Sequence, residues 1–110
     1  MSTRLKHELN ALIYPAPDLP GEWIAHCLEL DLITQGPGQG AALEMLAEAI
    51  ELTAQENVNR GQFALQFRSA PREDWQRLKG AQKLVTRIVH LPAEEICDDV
   101  TIVPSVASAG

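Results

Sequence analysis

The chain has 110 residues, of which 45% are hydrophobic and 22% charged, and its formal net charge is −6. This length is enough for one domain with one core and too short for two ordinary domains. The negative charge argues against sequence-independent binding to nucleic acid, because such binding needs clustered Lys and Arg side chains that neutralise phosphates. An acidic protein is better suited to a basic partner.

The cysteines and the apolar segments bear on the cellular compartment. Cys27 and Cys97 lie far apart in the sequence and form no Cys-x-x-Cys pair. The N-terminus has no signal-peptide pattern, and no apolar run approaches the roughly 20 residues that a membrane helix needs. We therefore expect a cytoplasmic protein with reduced thiols and no membrane association.

The first third of the chain has the alternating pattern of β-strands, which predicts strands at 9–14, 22–28 and 30–35. The segment PAPDLPG separates the first two strands, because its prolines cannot donate to a sheet ladder. The second and third strands meet across Glu29, through a tight connection or a bulge.

A helical pattern follows over residues 39–60, with Gly61 as its stop. The segment GPGQG before it lacks the Lys and the Ser or Thr of a phosphate-binding loop, so we interpret it as a structural connection. A long helix packed on one face of a small antiparallel sheet buries both patterns, which predicts an α+β domain. The apolar positions of the helix share one stripe and are expected in the core: Leu43, Leu46, Ala47, Ile50 and Ala54.

The remaining sequence is interpreted as an extension, residues 61–104, of a single domain (1–104) whose core spans 8–60. The elements predicted in it are, in order, a strand or a turn at 62–70, a short second helix from Pro71 to Gly80, a β-branched strand at 83–91, a shorter strand at 100–103 and a disordered tail at 105–110.

Few side chains suggest catalysis. His26 and Cys27 with Asp31 nearby resemble a nucleophile with its base or a metal site, but adjacent strand residues point to opposite faces and cannot converge without a bulge. The predicted core strands carry only Glu22, Glu29 and Asp31 as carboxylates, too few for a two-metal nuclease. We therefore expect no catalytic residue, no metal site, no cofactor and no enzymatic activity.

An acidic run near the C-terminus is interpreted as a solvated surface. Its spacing is not that of a calcium-binding EF-hand loop. The run consists of Glu94, Glu95, Asp98 and Asp99.

Two motifs carry a resemblance to a known family. HCLELDLITQG (26–36), followed by ALEMLAEAIEL (42–52), resembles the HicB-type antitoxins, in which a Cys-containing turn and a Leu-Asp strand lead through Thr-Gln-Gly into a helix with Ala-Leu and Glu-Ala-Ile. FRSAPREDWQRL (67–78) is similar to the extension of the stand-alone members. The resemblance covers about residues 8–80. The chain departs from the family pattern at Pro37 and Gly38, where helix-capping side chains are usual.

The resemblance implies a partial RNase H-like β-β-β-α-β domain, with residues 84–91 as the fourth strand. It also implies a function, which is to neutralise a small basic mRNA-cleaving toxin by covering its active site. The two-domain members add a DNA-binding module, but residues 81–110 contain too few basic residues for one. Direct DNA binding by this chain alone is therefore not expected.

The acidic residues around the second and third strands are the predicted toxin-binding surface, because they could imitate the phosphates of the toxin's substrate. They are Asp18, Glu22, Glu29 and Asp31. We also predict a homodimer or higher oligomer, formed through a sheet edge or the apolar C-terminal strands. The alternatives are a ligand- or RNA-binding module that uses the open sheet face around His26, and a degenerate RNase H-like hydrolase.

Overall fold

The computed structural model describes residues 6–91 and 99–107, without the side chains of Lys6 and His90. Within this part of the chain a six-stranded sheet packs with one long and one short helix, so the predicted α+β layout is confirmed. The elements are, in chain order, β1 (Lys6–Pro15), β2 (Glu22–Cys27), β3 (Leu32–Pro37), α1 (Gln39–Asn59), α2 (Arg72–Leu78), β4 (Gln82–Lys83), β5 (Arg87–His90) and β6 (Asp99–Val106).

The first three strands form the predicted antiparallel meander. Ala11 of β1 lies opposite Cys27 of β2, and Ala25 of β2 lies opposite Thr34 of β3. The proline-rich loop between β1 and β2 is closed by a hydrogen bond from the Ala16 N–H to the Glu22 carbonyl (2.9 Å). Residues 28–31 form the turn between β2 and β3.

The strand on the other side of β1 is β6, which runs parallel to it with Leu9 opposite Ile102. The prediction that residues 84–91 take this place is wrong, because that segment contains β5, which pairs antiparallel with the far side of β6. A strand in the middle of a sheet that is covered on both sides is buried on both of its faces. Ile102 and Ser105, on opposite faces of β6, are both buried, whereas Ile88 of β5 is half exposed. The sheet is therefore mixed, in the order β3-β2-β1-β6-β4.

The C-terminal strand is longer than predicted. β6 continues to Val106, and the Ala107 N–H donates a hydrogen bond to the Ile13 carbonyl (2.8 Å). The prediction of a disordered tail at 105–110 is therefore wrong for its first three residues, which join β1. Residues 108–110 lie outside the described part of the chain.

Helix α1 covers one face of the sheet with the predicted stripe. Leu46, Ala47, Ile50 and Ala54 are buried against the sheet, and Leu43 packs beside them. The helix has no side-chain cap at its N-terminus, where Gly38 has φ 99° and ψ 164°, a conformation open only to glycine. Gly61, at φ 75°, follows the last turn and confirms the predicted stop.

The second face of the sheet, which was expected to be open, is partly covered by the chain after α1. Residues 62–70 form neither a strand nor a helix. They pass around the end of the sheet, where the N–H groups of Arg68 and Ala70 donate to the carbonyls of Glu29 (2.9 Å) and Leu28 (2.7 Å). A small apolar cluster then forms on this face, with four buried members, Leu12, Leu28, Ala70 and Ala107, and contributions from Tyr14, Trp75, Leu78 and Ala81.

Candidate partner-binding surface

Glu29, one of the four predicted partner-binding residues, is bonded within the fold. Its carboxylate accepts hydrogen bonds from the backbone N–H of Asn10 (2.7 Å) and from the Asn10 Nδ2 (2.8 Å). The Leu28 N–H in turn donates to the Asn10 carbonyl (2.9 Å). Glu29 therefore fixes the β2–β3 turn to the middle of β1.

Asp31, the other predicted partner-binding residue in that turn, also forms a hydrogen bond within the fold. It has a positive φ of 49°, a conformation in which Asp is enriched among non-glycine residues. Its Oδ1 lies 2.6 Å from the Nε2 of His26, with which it forms a hydrogen bond. His26 is only 2% exposed, so this carboxylate partners a buried polar ring that would otherwise be costly to bury.

The other two predicted residues lie elsewhere. Asp18 is exposed in the β1–β2 loop and Glu22 begins β2, whereas Glu29 and Asp31 follow its end. The six residues of β2 at about 3.3 Å each separate the two pairs by about 20 Å. The structure therefore does not bring the four carboxylates together into one rim.

Cys27 and His26 point to opposite faces of β2, as predicted from strand alternation. Cys27 is buried beneath α1 in the main core. Burial raises the pKa of the Cys27 thiol to about 12, and the nearby charge of Glu29 adds to this effect. A thiol with that pKa stays protonated at neutral pH and is a poor nucleophile or metal ligand.

A serine, a histidine and an aspartate share the second face of the sheet. Ser105 and His26 are both buried and both lie opposite Leu12, one on each side of β1. Two strand spacings put their backbones about 10 Å apart, which is too far for the direct hydrogen bond of a catalytic triad. The arrangement serves packing, with Leu12 between the two polar residues.

Within residues 6–91 and 99–107, no group of three or more His, Cys, Asp or Glu side chains is arranged to hold a metal ion. The predicted acidic run is largely outside this range, since only Asp99 of its four residues is described. The solvated role assigned to the run therefore stays a prediction.

The outward side of α1 carries an acidic surface that is not among the predicted sites. Glu44, Glu48 and Glu51 are exposed and fall on one side of the helix at spacings of four and three. The 21 residues of α1 include no Lys or Arg. The exposed apolar side chains Met45 and Leu52 border this acidic row. In the sequence, the feature that could have predicted this surface is a repeat of carboxylates at this spacing with no Lys or Arg between them. The same pattern is also ordinary for a solvated helix face.

One base from the sheet approaches the acidic row. Arg87 of β5 donates from Nε and Nη2 to the two carboxylate oxygens of Glu44 (2.8 and 3.2 Å). This contact lowers the pKa of Glu44, chiefly through the hydrogen bond. Glu51 also interacts electrostatically with Arg87, whereas Glu48 has no ion pair among the described residues.

The Thr-Gln-Gly stretch connects β3 to α1. The Thr34 hydroxyl donates to the Ala42 carbonyl in the first turn of the helix (3.0 Å). Gly36 is buried against the same turn, where a Cβ would come within 3.0 Å of the Ala42 nitrogen. The motif residues therefore set the angle at which the helix leaves the sheet.

No family model, curated protein or solved structure matches this chain. No helix in the described ranges is both long and apolar enough to cross a membrane.

Proposed function

We propose that this protein is a HicB-like binding module, an antitoxin or related regulator that neutralises a small basic mRNA-cleaving toxin in the cytoplasm, without catalysis of its own. Two things support this proposal. One is the resemblance of residues 26–36 and 42–52, whose strand, turn and helix lie in the order that the resemblance implies. The other is the acidic outward surface of α1, and this second observation carries the proposal.

We define the acidic row as Glu44, Glu48 and Glu51 of α1. A protein that cleaves RNA holds the phosphates with Lys or Arg side chains. Carboxylates at helical spacing can form ion pairs with those Lys and Arg side chains in place of the phosphates. The helix would then cover the active site. Leu52, 66% exposed beside the row, offers an apolar contact of the kind that usually lies at the centre of an interface.

The row suits this role better than the four residues predicted from the sequence. Glu29 and Asp31 already accept hydrogen bonds from Asn10 and His26, so engaging a partner would mean losing those contacts. Glu48 and Glu51 make no hydrogen bond to a described side chain. Their charge is therefore available to a partner at little cost to the fold.

The test is a binding and inhibition assay. Any small basic protein encoded beside this gene serves as the probe, and its cleavage of RNA is assayed with increasing amounts of the present protein. We expect a stable complex in size-exclusion chromatography and loss of cleavage at equimolar antitoxin. A neighbouring basic protein that cleaves RNA and is neither bound nor inhibited would contradict the proposal.

Two double variants locate the surface in the same assay. Glu48→Lys with Glu51→Lys reverses two of the three charges of the row, and Glu8→Lys with Glu73→Lys makes the same change of charge at exposed sites outside α1. We expect the row variant to weaken binding about tenfold or more at low salt, and the control to have a much smaller effect. Equal losses in both would mean that only the net charge matters.

The alternative of a ligand- or RNA-binding sheet face has less support from the structure. That face is covered at Leu12 and Leu28, and the imidazole of His26 is buried. The hydrolase alternative has no supporting cluster among the residues that the structure describes. Self-association, also predicted from the sequence, stays a prediction that is separate from partner binding.

A further inference from the structure

The two edges of the sheet differ in charge. β3 forms one edge, and its sequence LITQGP contains no charged residue. Ile33 in this strand is 55% exposed. Unprotected edge strands present unpaired backbone N–H and C=O groups and readily pair with another strand.

The opposite edge has the features that prevent such pairing. It consists of β4 and β5, which are separated at residues 84–86, where the Leu84 N–H bonds to the Pro104 carbonyl (2.8 Å). Lys83 and Arg87 border the interruption, and Val85 within it is 88% exposed. A broken ladder and basic side chains are the usual protection of an edge strand.

The side of α1 above the β3 edge is also uncharged. Met45 lies on this side, because its sulfur is near Gly36 of β3, and Thr53 lines an apolar pocket together with Leu32 of β3. Ala49 falls between Met45 and Thr53 at helical spacing. We call Met45, Ala49 and Thr53 the β3-side flank of α1.

The carboxylates of α1 lie away from this flank, apart from Glu56, which forms an ion pair. The contact between Glu44 and Arg87 shows that the acidic row faces the β5 side of the molecule. Glu56, near the C-terminal end of the helix, is already paired with Arg60 (2.6 Å). Two copies of a chain with a net charge of −6 repel each other over most of their surface. The β3 edge is one described surface at which they can meet without opposing carboxylates.

We propose that the protein forms a two-fold symmetric dimer in which the β3 strands of two copies pair antiparallel and join the two sheets into one. An edge strand paired antiparallel with its own copy is self-complementary, as a two-fold interface requires. Helix α1 packs chiefly on β3 and β2, so it lies slightly inside the edge. At ordinary strand spacing this places the two α1 helices about 10 Å apart, which is the distance of packed helices. The small side chain of Ala49 suits that approach.

This dimer does not depend on the proposed function, since it is measured on the protein alone. Sedimentation equilibrium should give a mass about twice that of the 12.1 kDa chain. Ile33→Lys, in the strand, and Ala49→Glu, on the flank, should each give the monomer mass with an unchanged circular dichroism spectrum. Val85→Lys and Ile88→Lys, at the other edge, should remain dimers.

Several results would overturn the proposal. A wild-type monomer at high micromolar concentration would do so, and so would variants at Ile33 and Ala49 that stay dimeric. Dissociation by Val85→Lys alone would place the interface at β4 and β5 instead. If Ile33→Lys fails to fold, Ala49→Glu decides, because it lies outside the sheet and leaves the strand intact.

Discussion

Two groups of carboxylates in this molecule have the same charge and different surroundings. Glu29 and Asp31, in the β2–β3 turn, accept hydrogen bonds from Asn10 and from the buried His26. Glu48 and Glu51, on α1, face outward without hydrogen bonds to described side chains. A carboxylate beside a sheet can therefore be bonded within the fold. A surface for a basic partner is marked by carboxylates that lack such bonds, rather than by charge alone.

The largest expected effect is on stability in the turn. Asp31→Ala removes the partner of a buried imidazole and places alanine at a positive φ, so we expect a loss of about 1–3 kcal/mol in the free energy of unfolding. Asp31→Gly keeps the backbone relaxed and should lose less. Asp31→Asn, which tolerates this φ and can still hydrogen-bond, should lose least. Urea unfolding of the three variants checks this order. Three equal losses would show that stability depends neither on the hydrogen bond to His26 nor on the positive φ at Asp31.

The rate at which the Cys27 thiol is alkylated gives a second measure of how much the turn carboxylates stabilise the fold. It is buried directly before the turn, and its pKa of about 12 prevents alkylation at pH 8 unless the structure opens. In a Cys97→Ser background, Asp31→Ala should speed alkylation about 5- to 150-fold, in proportion to its lost stability. The double reversal of Glu48 and Glu51 should leave the rate unchanged. Rapid alkylation of the native thiol would contradict the burial.

The same thiol makes stability depend on pH at the alkaline side. The folded state keeps the proton of Cys27 up to about pH 12, whereas the unfolded chain loses it near pH 8.5. Stability should therefore fall as the pH rises above about 8.5, by up to about 1.4 kcal/mol per pH unit from this group. Cys27→Ala should remove that part of the slope in urea unfolding between pH 8 and pH 10. An unchanged slope would mean that the thiol is solvated.

The sequence predicted much of this fold because the local patterns are strong. The stripe through Leu46 and Ile50 and the stop at Gly61 identified α1 within one residue. The place of β6 beside β1 was not predicted, because residues 84–91 and 99–106 have similar β-branched patterns. Which of them pairs with β1 depends on contacts with a strand about 90 residues away.

Local sequence patterns also could not predict the roles of the carboxylates, because their partners lie far away in the sequence. The partner of Glu29 is Asn10, 19 positions away, and the partner of Glu44 is Arg87, 43 positions away. A turn aspartate beside a strand histidine was a weaker local signal, since Asp31 is only five residues from His26. The exposed α1 glutamates were overlooked because a charged outer face is the normal state of a surface helix.

A smaller effect is expected from salt on partner binding. The acidic row is exposed, so its attraction to a basic partner is screened as the Debye length falls from about 30 Å at 0.01 M salt to about 8 Å at 0.15 M. The association rate of the wild type should fall over that range, and the difference from the Glu48→Lys and Glu51→Lys variant should shrink. A salt-independent difference in stopped-flow association would place the contact in a buried interface instead.

The smallest effect concerns the pair of Arg87 and Glu44. The pKa of Glu44 is lowered in the folded protein, so the pair contributes stability above the ordinary pKa of a glutamate and loses it as the pH falls below about 4. Both side chains are largely exposed, so Arg87→Gln should lower the melting temperature only slightly at pH 7. The difference between variant and wild type should shrink as the pH falls below that range. A difference that persists there would come from packing of the arginine chain.

The most direct test compares the two groups of carboxylates by urea unfolding of two double reversals. One variant carries Glu29→Lys and Asp31→Lys, and the other carries Glu48→Lys and Glu51→Lys, with the same change of net charge. We predict that the turn variant loses more than about 2 kcal/mol, because hydrogen bonds to Asn10 and His26 are lost together, or fails to fold. The helix variant should stay within about 0.5 kcal/mol of the wild type. Equal stabilities of the two variants would mean that the turn carboxylates contribute no more to the fold than the exposed carboxylates of α1.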